Sequence, residues 1–274
     1  MNSGTLAVPG ADLYYEVRGS GPVLLMINGS NGDTALYAGL ADRFADRRTV
    51  VTYDRRGNSR SRLTGPPEEQ RVELRVEQHT DDAFRLLREL TAEPAAIFGS
   101  STGAAIGLDL LARHPERVEL LVAHEPLVLG MLPEPKQWHA RFDAVCDLFV
   151  TAGARAAMDE LCALLGVAAP PEPAAEMPAS IRELLERVQA NVEFNFSCEL
   201  RAFSRFEPDL TALRGAPLVT AVGAEGVQTL LYRTTALLAE RLDLPVTEFP
   251  GDHMSYAMRP EETAEALAPI LERK

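Results

Sequence analysis

Short apolar runs bounded by turn residues alternate along this sequence with longer segments in which apolar residues recur every three or four positions. The short runs predict buried strands, because continuous apolar segments suit a sheet that is covered on both faces. They lie at 23–27, 49–53, 95–98, 118–123, 217–222 and, more weakly, 246–249. The longer segments predict helices at 35–45, 72–90, 104–113, 228–241 and 261–271. This order of elements predicts a doubly wound, mostly parallel α/β sheet.

Two parts of the chain depart from that alternation. Residues 5–17 alternate apolar and polar positions around Pro9-Gly10, which predicts an antiparallel hairpin at the sheet edge. Between 126 and 208 the pattern indicates helices at 138–151, 154–165 and 181–203, and no convincing strand. We therefore expect a core formed by residues 1–125 and 209–274 and a helical cap inserted at 126–208. The proline-rich stretch 168–178 within it is expected to be an exposed connector.

Composition narrows the classes of partner. The 274 residues include 40 acidic and 27 basic side chains, a formal net charge of -13. Such a chain repels a phosphate backbone and an anionic membrane surface, so we expect neither nucleic acid nor a membrane as partner. The three cysteines, Cys146, Cys162 and Cys198, are odd in number and form no CxxC, which predicts neither a disulfide framework nor a zinc site. A reducing cytoplasm is the simplest expectation.

Targeting and cofactor motifs are absent from the sequence. The first ten residues carry no basic side chain and no apolar run of signal-peptide length, and no segment has the apolar length of a membrane span. No phosphate-binding glycine loop or dinucleotide fingerprint is present. The adjacent carboxylates at 68–69 and 81–82 are typical of a solvated face. We therefore expect a cytoplasmic protein without cofactor or metal, monomeric or homodimeric.

One sequence motif indicates a catalytic nucleophile. Gly99-Ser100-Ser101-Thr102-Gly103 is a G-x-S-x-G placed directly after a predicted strand and directly before a predicted helix. A strand that turns sharply into a helix needs small flanking residues, and it exposes the central serine at the carboxyl edge of the sheet with a helix N-terminus behind it. Ser101 is therefore the candidate nucleophile.

The order of these elements around 99–103 resembles the α/β-hydrolase superfamily over nearly the whole chain. The turn Asp54-Arg55-Arg56-Gly57-Asn58-Ser59 is similar to the D-x-R-G-x-G of that family, and Gly251-Asp252-His253 is similar to its G-x-H. The run 122–126, with the phrase around Gly99, also resembles a bacterial, actinobacterial-type subgroup of hydrolases. The resemblance implies an α/β-hydrolase fold, with an inserted helical cap, and His253 as the base that a serine nucleophile requires.

The catalytic acid departs from the common pattern of the family. The acid usually ends a G-x-x-D after the strand that corresponds to 217–222, but this sequence has Gly223-Ala224-Glu225-Gly226, with glycine in place of the aspartate. Some members, including haloalkane dehalogenases, take the acid from the end of the preceding strand, and that position is Glu125 here. Two candidates therefore remain, Glu125, which we favour, and Glu225 as the alternative. A role near the site also stays open for His124.

An oxyanion formed on the substrate needs preorganised donors. The resemblance implies two backbone amides, that of Thr102 after the nucleophile and that of Ser30 after the strand 23–27. The family usually has His-Gly before the second donor, whereas this sequence has Asn28-Gly29. The glycines still allow close backbone approach.

These features predict a serine hydrolase that cleaves an ester, lactone or thioester of a small apolar substrate through an acyl-enzyme on Ser101. The same scaffold also carries C–C bond hydrolases, cyclases and cofactor-free haloperoxidases, and a third alternative is a ligand-binding homologue without turnover. Apolar residues of the insertion suggest the roof of a pocket, although helical spacing places most of them in the core of the cap. They are 127–132, Trp138, Phe142, Phe149, Phe194, Phe196 and Phe203.

Overall fold

Nine strands form a single mixed sheet in the computed structural model, which describes residues 1–66, 73–168 and 176–272. The strands are β1 (Asn2–Val8), β2 (Ala11–Arg18), β3 (Val23–Ile27), β4 (Thr49–Tyr53), β5 (Arg62–Leu63), β6 (Ala95–Ser100), β7 (Val118–His124), β8 (Leu218–Gly223) and β9 (Val246–Phe249). Their order across the sheet is β1-β2-β4-β3-β6-β7-β8-β9, with β5 paired to β2. The predicted doubly wound α/β fold is confirmed.

The direction of the strands determines where chemistry can be assembled. β1 and β2 form the predicted antiparallel hairpin, and β2 pairs antiparallel with β4. From β4 to β9 every neighbouring pair is parallel, so the carboxyl ends of these strands meet at one edge. There Ser100 pairs with His124, and His124 pairs with Ala221. The residues that follow β6, β7 and β8 are therefore neighbours in space.

Ten helices accompany the sheet among the described residues. They are α1 (Ala38–Phe44), α2 (Val76–Leu90), α3 (Thr102–Arg113), α4 (Pro135–Leu165), α5 (Ala179–Phe194), α6 (Leu200–Phe203), α7 (Leu210–Leu213), α8 (Leu230–Leu242), α9 (Ser255–Met258) and α10 (Pro260–Leu271). A π-helix spans Asn195–Glu199 between α5 and α6.

Successive residues of the central strands face two different apolar layers. In β3, Leu25 packs in the layer that contains α2, α3 and α8, whereas Leu24 and Met26 pack in the layer that contains α1, α9 and α10. All five residues of β3 are buried. Burial on both faces explains why the strands are continuous apolar runs rather than alternating ones.

The segment between β7 and β8 carries helices, and its described residues contain no strand. Gly153, with φ 87° and ψ 176°, breaks α4 between the two helices predicted at 138–151 and 154–165. The helix predicted at 181–203 is interrupted by the π-helix. The division into a core and a cap at 126–208 stays a prediction. Residues 169–175 of the predicted connector lie outside the described residues.

Some details differ from the sequence prediction. The short elements β5, α7 and α9 were not predicted, because two to four residues carry too little periodicity. The helix predicted from residue 72 begins at Val76 in the structure, and residue 72 and the carboxylates at 68–69 lie outside the described residues. No described helix has the length and apolarity that crossing a membrane would require. The three cysteines are free, buried thiols.

Candidate active site

Ser101 lies at a sharp turn between β6 and α3. Its φ of 57° and ψ of -122° fall in a region that residues with a side chain rarely adopt. Glycines make the turn sterically possible: a Cβ at Gly103 would lie 2.2 Å from the carbonyl oxygen of Ile27, and a Cβ at Gly99 would lie 2.6 Å from that of Gly103. The backbone N–H of Ser101 donates to the carbonyl of His124 at 2.9 Å. The strained serine therefore stands at the N-terminus of α3, where the motif predicted it.

Glu125 and His253 form a close hydrogen-bonded pair. Nδ1 of His253 lies 2.6 Å from Oε2 of Glu125, and Oε1 of Glu125 accepts from the backbone N–H of Gly223 at 3.0 Å. Glu125 directly follows β7, has a positive φ of 47° and is fully buried. The side chain of His253 is 16% exposed. The carboxylate is thus held from two sides, and it orients an imidazole that reaches the edge of solvent.

Burial affects the charges of these groups in different ways. Burial alone would raise the pKa of Glu125, but the hydrogen bond from His253 and the neighbouring imidazoles hold that pKa below its ordinary value. Burial lowers the pKa of His124 to about 4, so this ring is neutral at neutral pH. His124 stacks on His253 with ring centroids 6.0 Å apart, and its Nδ1 lies 3.1 Å from the hydroxyl of Ser100. The site therefore contains an ionised carboxylate beside a neutral, buried His124.

Glu225, the alternative acid, points elsewhere. Its Oε1 accepts from Nη1 of Arg259 at 2.9 Å, and its side chain is 57% exposed. The structure thus brings Glu125 to His253 and leaves Glu225 in a surface ion pair.

The two predicted oxyanion residues lie side by side. Oγ of Ser30 and Oγ1 of Thr102 are 3.3 Å apart. The loop that carries Ser30 passes close to the nucleophile, because a Cβ at Gly29 would lie 3.0 Å from Cβ of Ser101. Glycine at position 29 thus permits this approach, as the sequence suggested, because a side chain there would force its neighbours to shift by a few tenths of an ångström.

The described residues give the hydroxyl of Ser101 no hydrogen bond to His253. Catalytic hydrogen bonds are often long in enzymes without substrate and shorten only in the reacting complex. Ser101 and His253 are connected indirectly. The backbone N–H of Ser101 donates to the carbonyl of His124, and the next residue, Glu125, contacts His253.

One group of side chains in the described ranges could hold a metal ion. Ligand atoms of His124, Glu125 and His253 lie within 4.8 Å of one another. Two of the three are already joined by the 2.6 Å hydrogen bond. This arrangement fits an acid–base pair better than a set of metal ligands, whose lone pairs would have to point at one centre.

The turn after β4 is fixed by charged contacts that the sequence did not reveal. Arg55 forms a two-pronged ion pair with Glu199 of the π-helix, at 3.1 Å and 2.8 Å, and both side chains are buried. Nε2 of His79 lies 3.2 Å from Glu199. Burial would raise the pKa of Glu199, but the charges of Arg55 and His79 lower it to about 2. Because the ordinary value is 4.5, this stabilisation is complete above pH 4.5 and is lost as the pH falls towards 2.

We expect Glu199→Gln to destabilise the fold by about 3–5 kcal/mol, because it leaves the guanidinium of Arg55 buried without a counter-charge. Urea denaturation at neutral pH measures this. Arg214→Gln is the control, since Arg214 and Asp243 form an ion pair between exposed side chains, where a loss below about 1 kcal/mol is expected. Equal losses in the free energy of unfolding would show that the buried ion pair stabilises the fold no more than the exposed one.

Comparisons with known proteins agree with this fold. Residues 22–158 match the family model described as alpha/beta hydrolase fold. The chain is 37% identical to the uncharacterized hydrolase YraK of Bacillus subtilis (strain 168), over 100% of this chain and 97% of that protein. It is 25% identical to a zearalenone hydrolase of Bionectria ochroleuca, over 94% of this chain and 93% of that protein.

A solved structure shows the same fold at lower identity. The enol-lactonase from Burkholderia xenovorans LB400 superposes with a TM-score of 0.72 at 19% identity, covering 98% of this chain and 100% of its own. At this identity the likeness concerns the fold alone.

Proposed function

The chain belongs to the α/β-hydrolase family, and from that premise we propose that it is a serine hydrolase that cleaves an ester, lactone or thioester of a small apolar substrate. The observation that carries the proposal is the contact between the buried carboxylate of Glu125 and the partly exposed imidazole of His253, which are 2.6 Å apart. Such a pair serves a base that must be held in one orientation and one tautomer.

The proposed reaction begins at Ser101. As its hydroxyl oxygen attacks the substrate carbonyl carbon, Nε2 of His253 accepts the hydroxyl proton. Glu125 holds Nδ1–H of the ring, so Nε2 is the nitrogen without a proton, and the carboxylate stabilises the imidazolium that forms. The imidazolium then gives its proton to the leaving alkoxide or thiolate. Water releases the acyl group by the same steps, with His253 again accepting a proton.

The negative oxygen of each tetrahedral intermediate would lie between the backbone N–H groups of Ser30 and Thr102. Two observations support this assignment. The side chains of the two residues are 3.3 Å apart, and Thr102 begins α3, whose N-terminus favours negative charge.

The substrate class rests on the proposed attack of Ser101 on a carbonyl and on one relative. That relative, 25% identical and from Bionectria ochroleuca, is named a zearalenone hydrolase. Most of the aromatic residues expected in a pocket roof pack among themselves, as helical spacing suggested: Phe142 and Phe196 are buried with Trp138 and Phe149 against them. Attack on a carbonyl supports an ester, lactone or thioester, and the small apolar body of the substrate is the expectation from the sequence.

Trapping of the acyl-enzyme tests the proposal. We expect the purified protein to hydrolyse p-nitrophenyl esters or aliphatic lactones. After rapid acid quenching, intact-protein mass spectrometry should show one acyl adduct, and digestion should place it on the peptide that contains Ser101. Turnover without any adduct, and without labelling by a fluorophosphonate, would favour the C–C hydrolase or haloperoxidase alternatives. Failure of both turnover and labelling would favour a ligand-binding homologue.

The replaced aspartate of the usual G-x-x-D does not by itself favour a ligand-binding homologue. Gly226 stands where the aspartate usually lies, and the backbone N–H of Gly223, at the start of the same motif, donates to Glu125. Since Glu125 occupies the position beside His253, loss of the later aspartate does not leave the base without a carboxylate.

A further inference from the structure

Helix α5 contacts the oxyanion loop, residues 28–32, through one asparagine. Nδ2 of Asn191 donates to the carbonyl oxygens of Asn31 and Gly32, at 3.2 Å and 3.1 Å, and lies 2.9 Å from the hydroxyl of Ser59. Oδ1 of Asn191 accepts from the backbone N–H of Ser59 at 2.6 Å. Asn191 is 1% exposed. A single buried amide therefore joins α5 both to the oxyanion loop and to Ser59 in the turn after β4.

The backbone that Asn191 holds is the one that orients Ser30. The N–H of Gly32 donates to the carbonyl of Gly29 at 3.3 Å, and Asn31 has a positive φ of 63°. Carbonyl and N–H of one trans peptide point in opposite directions. With the Gly29 carbonyl turned towards Gly32, the Ser30 N–H of the same peptide is directed to the other side of the turn.

The turn has little support of its own. It is closed by one long backbone hydrogen bond, and asparagine in the left-handed region is tolerated rather than preferred. The last two carbonyls of the loop, those of Asn31 and Gly32, both accept from Asn191. Their peptide planes are therefore fixed by a side chain that lies 160 residues further along the chain.

We propose that Asn191 is a positioning residue that holds the oxyanion loop in the conformation that directs the Ser30 N–H to the reacting carbonyl. The inference rests on the proposed serine-hydrolase function. It assigns to α5, a helix between β7 and β8, a part in stabilising the transition state. In this chain the contact stands beside Asn28-Gly29, where the family usually has His-Gly.

We expect Asn191→Ala to lower kcat about 10–100-fold with little change in KM, since loosening an oxyanion donor weakens only the transition state and full loss of one costs about 10²–10³-fold. The second readout is the affinity for an aliphatic trifluoromethyl ketone, whose adduct with Ser101 carries an oxyanion. The affinity of Asn191→Ala for this ketone should fall by the same factor as kcat.

Arg187→Ala is the matched control. Arg187 lies one turn earlier on α5 and donates to Oδ2 of Asp33 at 2.7 Å, so it anchors the same helix to the residue that follows the loop without touching a carbonyl. Asp33 keeps Arg60 as a partner at 3.1 Å. Kinetic constants and inhibitor affinity should stay within about threefold of the wild-type values, because an anchoring contact is not needed in the transition state. A loss as large as that of Asn191→Ala would reduce the role of Asn191 to anchoring.

Asn191→Asp adds a readout that loss of anchoring would not move. The aspartate is isosteric and keeps an acceptor for Ser59, but when ionised it turns a negative oxygen towards the two loop carbonyls. When protonated it can donate to one of them. The ratio of kcat for Asn191→Asp to kcat for the wild type should therefore rise as the pH falls, whereas the ratio for Asn191→Ala should stay flat.

The outcomes separate the two proposals. If the wild type neither hydrolyses p-nitrophenyl butyrate nor binds the ketone, the serine-hydrolase function fails and this inference with it. If the wild type does both and Asn191→Ala keeps its kcat and inhibitor affinity, only the role of Asn191 is overturned. Thermal melting at each assay pH ensures that folded protein is compared throughout.

Discussion

Ser101→Ala should lower kcat by on the order of 10⁵–10⁶-fold, comparable to removal of the nucleophilic serine in a serine protease. The variant keeps both proposed oxyanion donors and the pair of Glu125 and His253, but it has no oxygen to attack the carbonyl. Steady-state hydrolysis of p-nitrophenyl butyrate measures the loss. Labelling by a fluorophosphonate probe should disappear in the same variant.

The neighbouring serine provides a control within the same turn. Ser100 is fully buried, and its hydroxyl contacts Nδ1 of His124 rather than the reacting region. Ser100→Ala removes the same atom one position away and should keep kcat within about tenfold, at a stability cost of about 1–3 kcal/mol for the unpaired ring nitrogen. If Ser100→Ala lost turnover and Ser101→Ala kept it, the nucleophile would be assigned to the wrong serine. Retained turnover in Ser101→Ala without labelling would instead favour a reaction in which Ser101 only positions the substrate.

The core of the fold could be predicted because its signals are local. β3, β4 and β6 are continuous apolar runs flanked by turn residues, and each is buried on both faces. The small residues around Ser101 are likewise explained by contacts within one turn, apart from Gly103, which abuts the carbonyl of Ile27. Periodicity and turn chemistry are sufficient for such features.

The contacts between distant segments could not be predicted in the same way. Arg55 contacts Glu199 across 144 residues of sequence, and Asn191 contacts Asn31 across 160 residues. The sequence of either segment does not indicate which residue it contacts. The choice of acid was open for a related reason. Whether Glu125 or Glu225 reaches His253 depends on how the loop after β8 folds, and the Gly223 N–H that supports Glu125 is a backbone group.

Glu125→Gln should lower kcat about 10³–10⁴-fold, by forcing the wrong tautomer of His253. The argument depends on the second partner of the carboxylate. Oε1 of Glu125 accepts from the N–H of Gly223 at 3.0 Å, so in the variant the single amide oxygen must face that donor. The amide NH₂ then faces Nδ1 of His253 and requires it to accept. The ring proton moves to Nε2, which can no longer take the proton of Ser101.

Glu225→Gln is the matched substitution for this test. Glu225 belongs to an exposed ion pair with Arg259 that solvent screens, so kcat should stay within about twofold of the wild-type value. Both variants are compared by kcat on p-nitrophenyl butyrate and by the rate of fluorophosphonate labelling, which also requires a proton acceptor for Ser101. A large loss in Glu225→Gln with turnover kept in Glu125→Gln would transfer the role of acid to the loop after β8. It would also mean that this loop rearranges when substrate binds, because Glu225 does not contact His253 in the free protein.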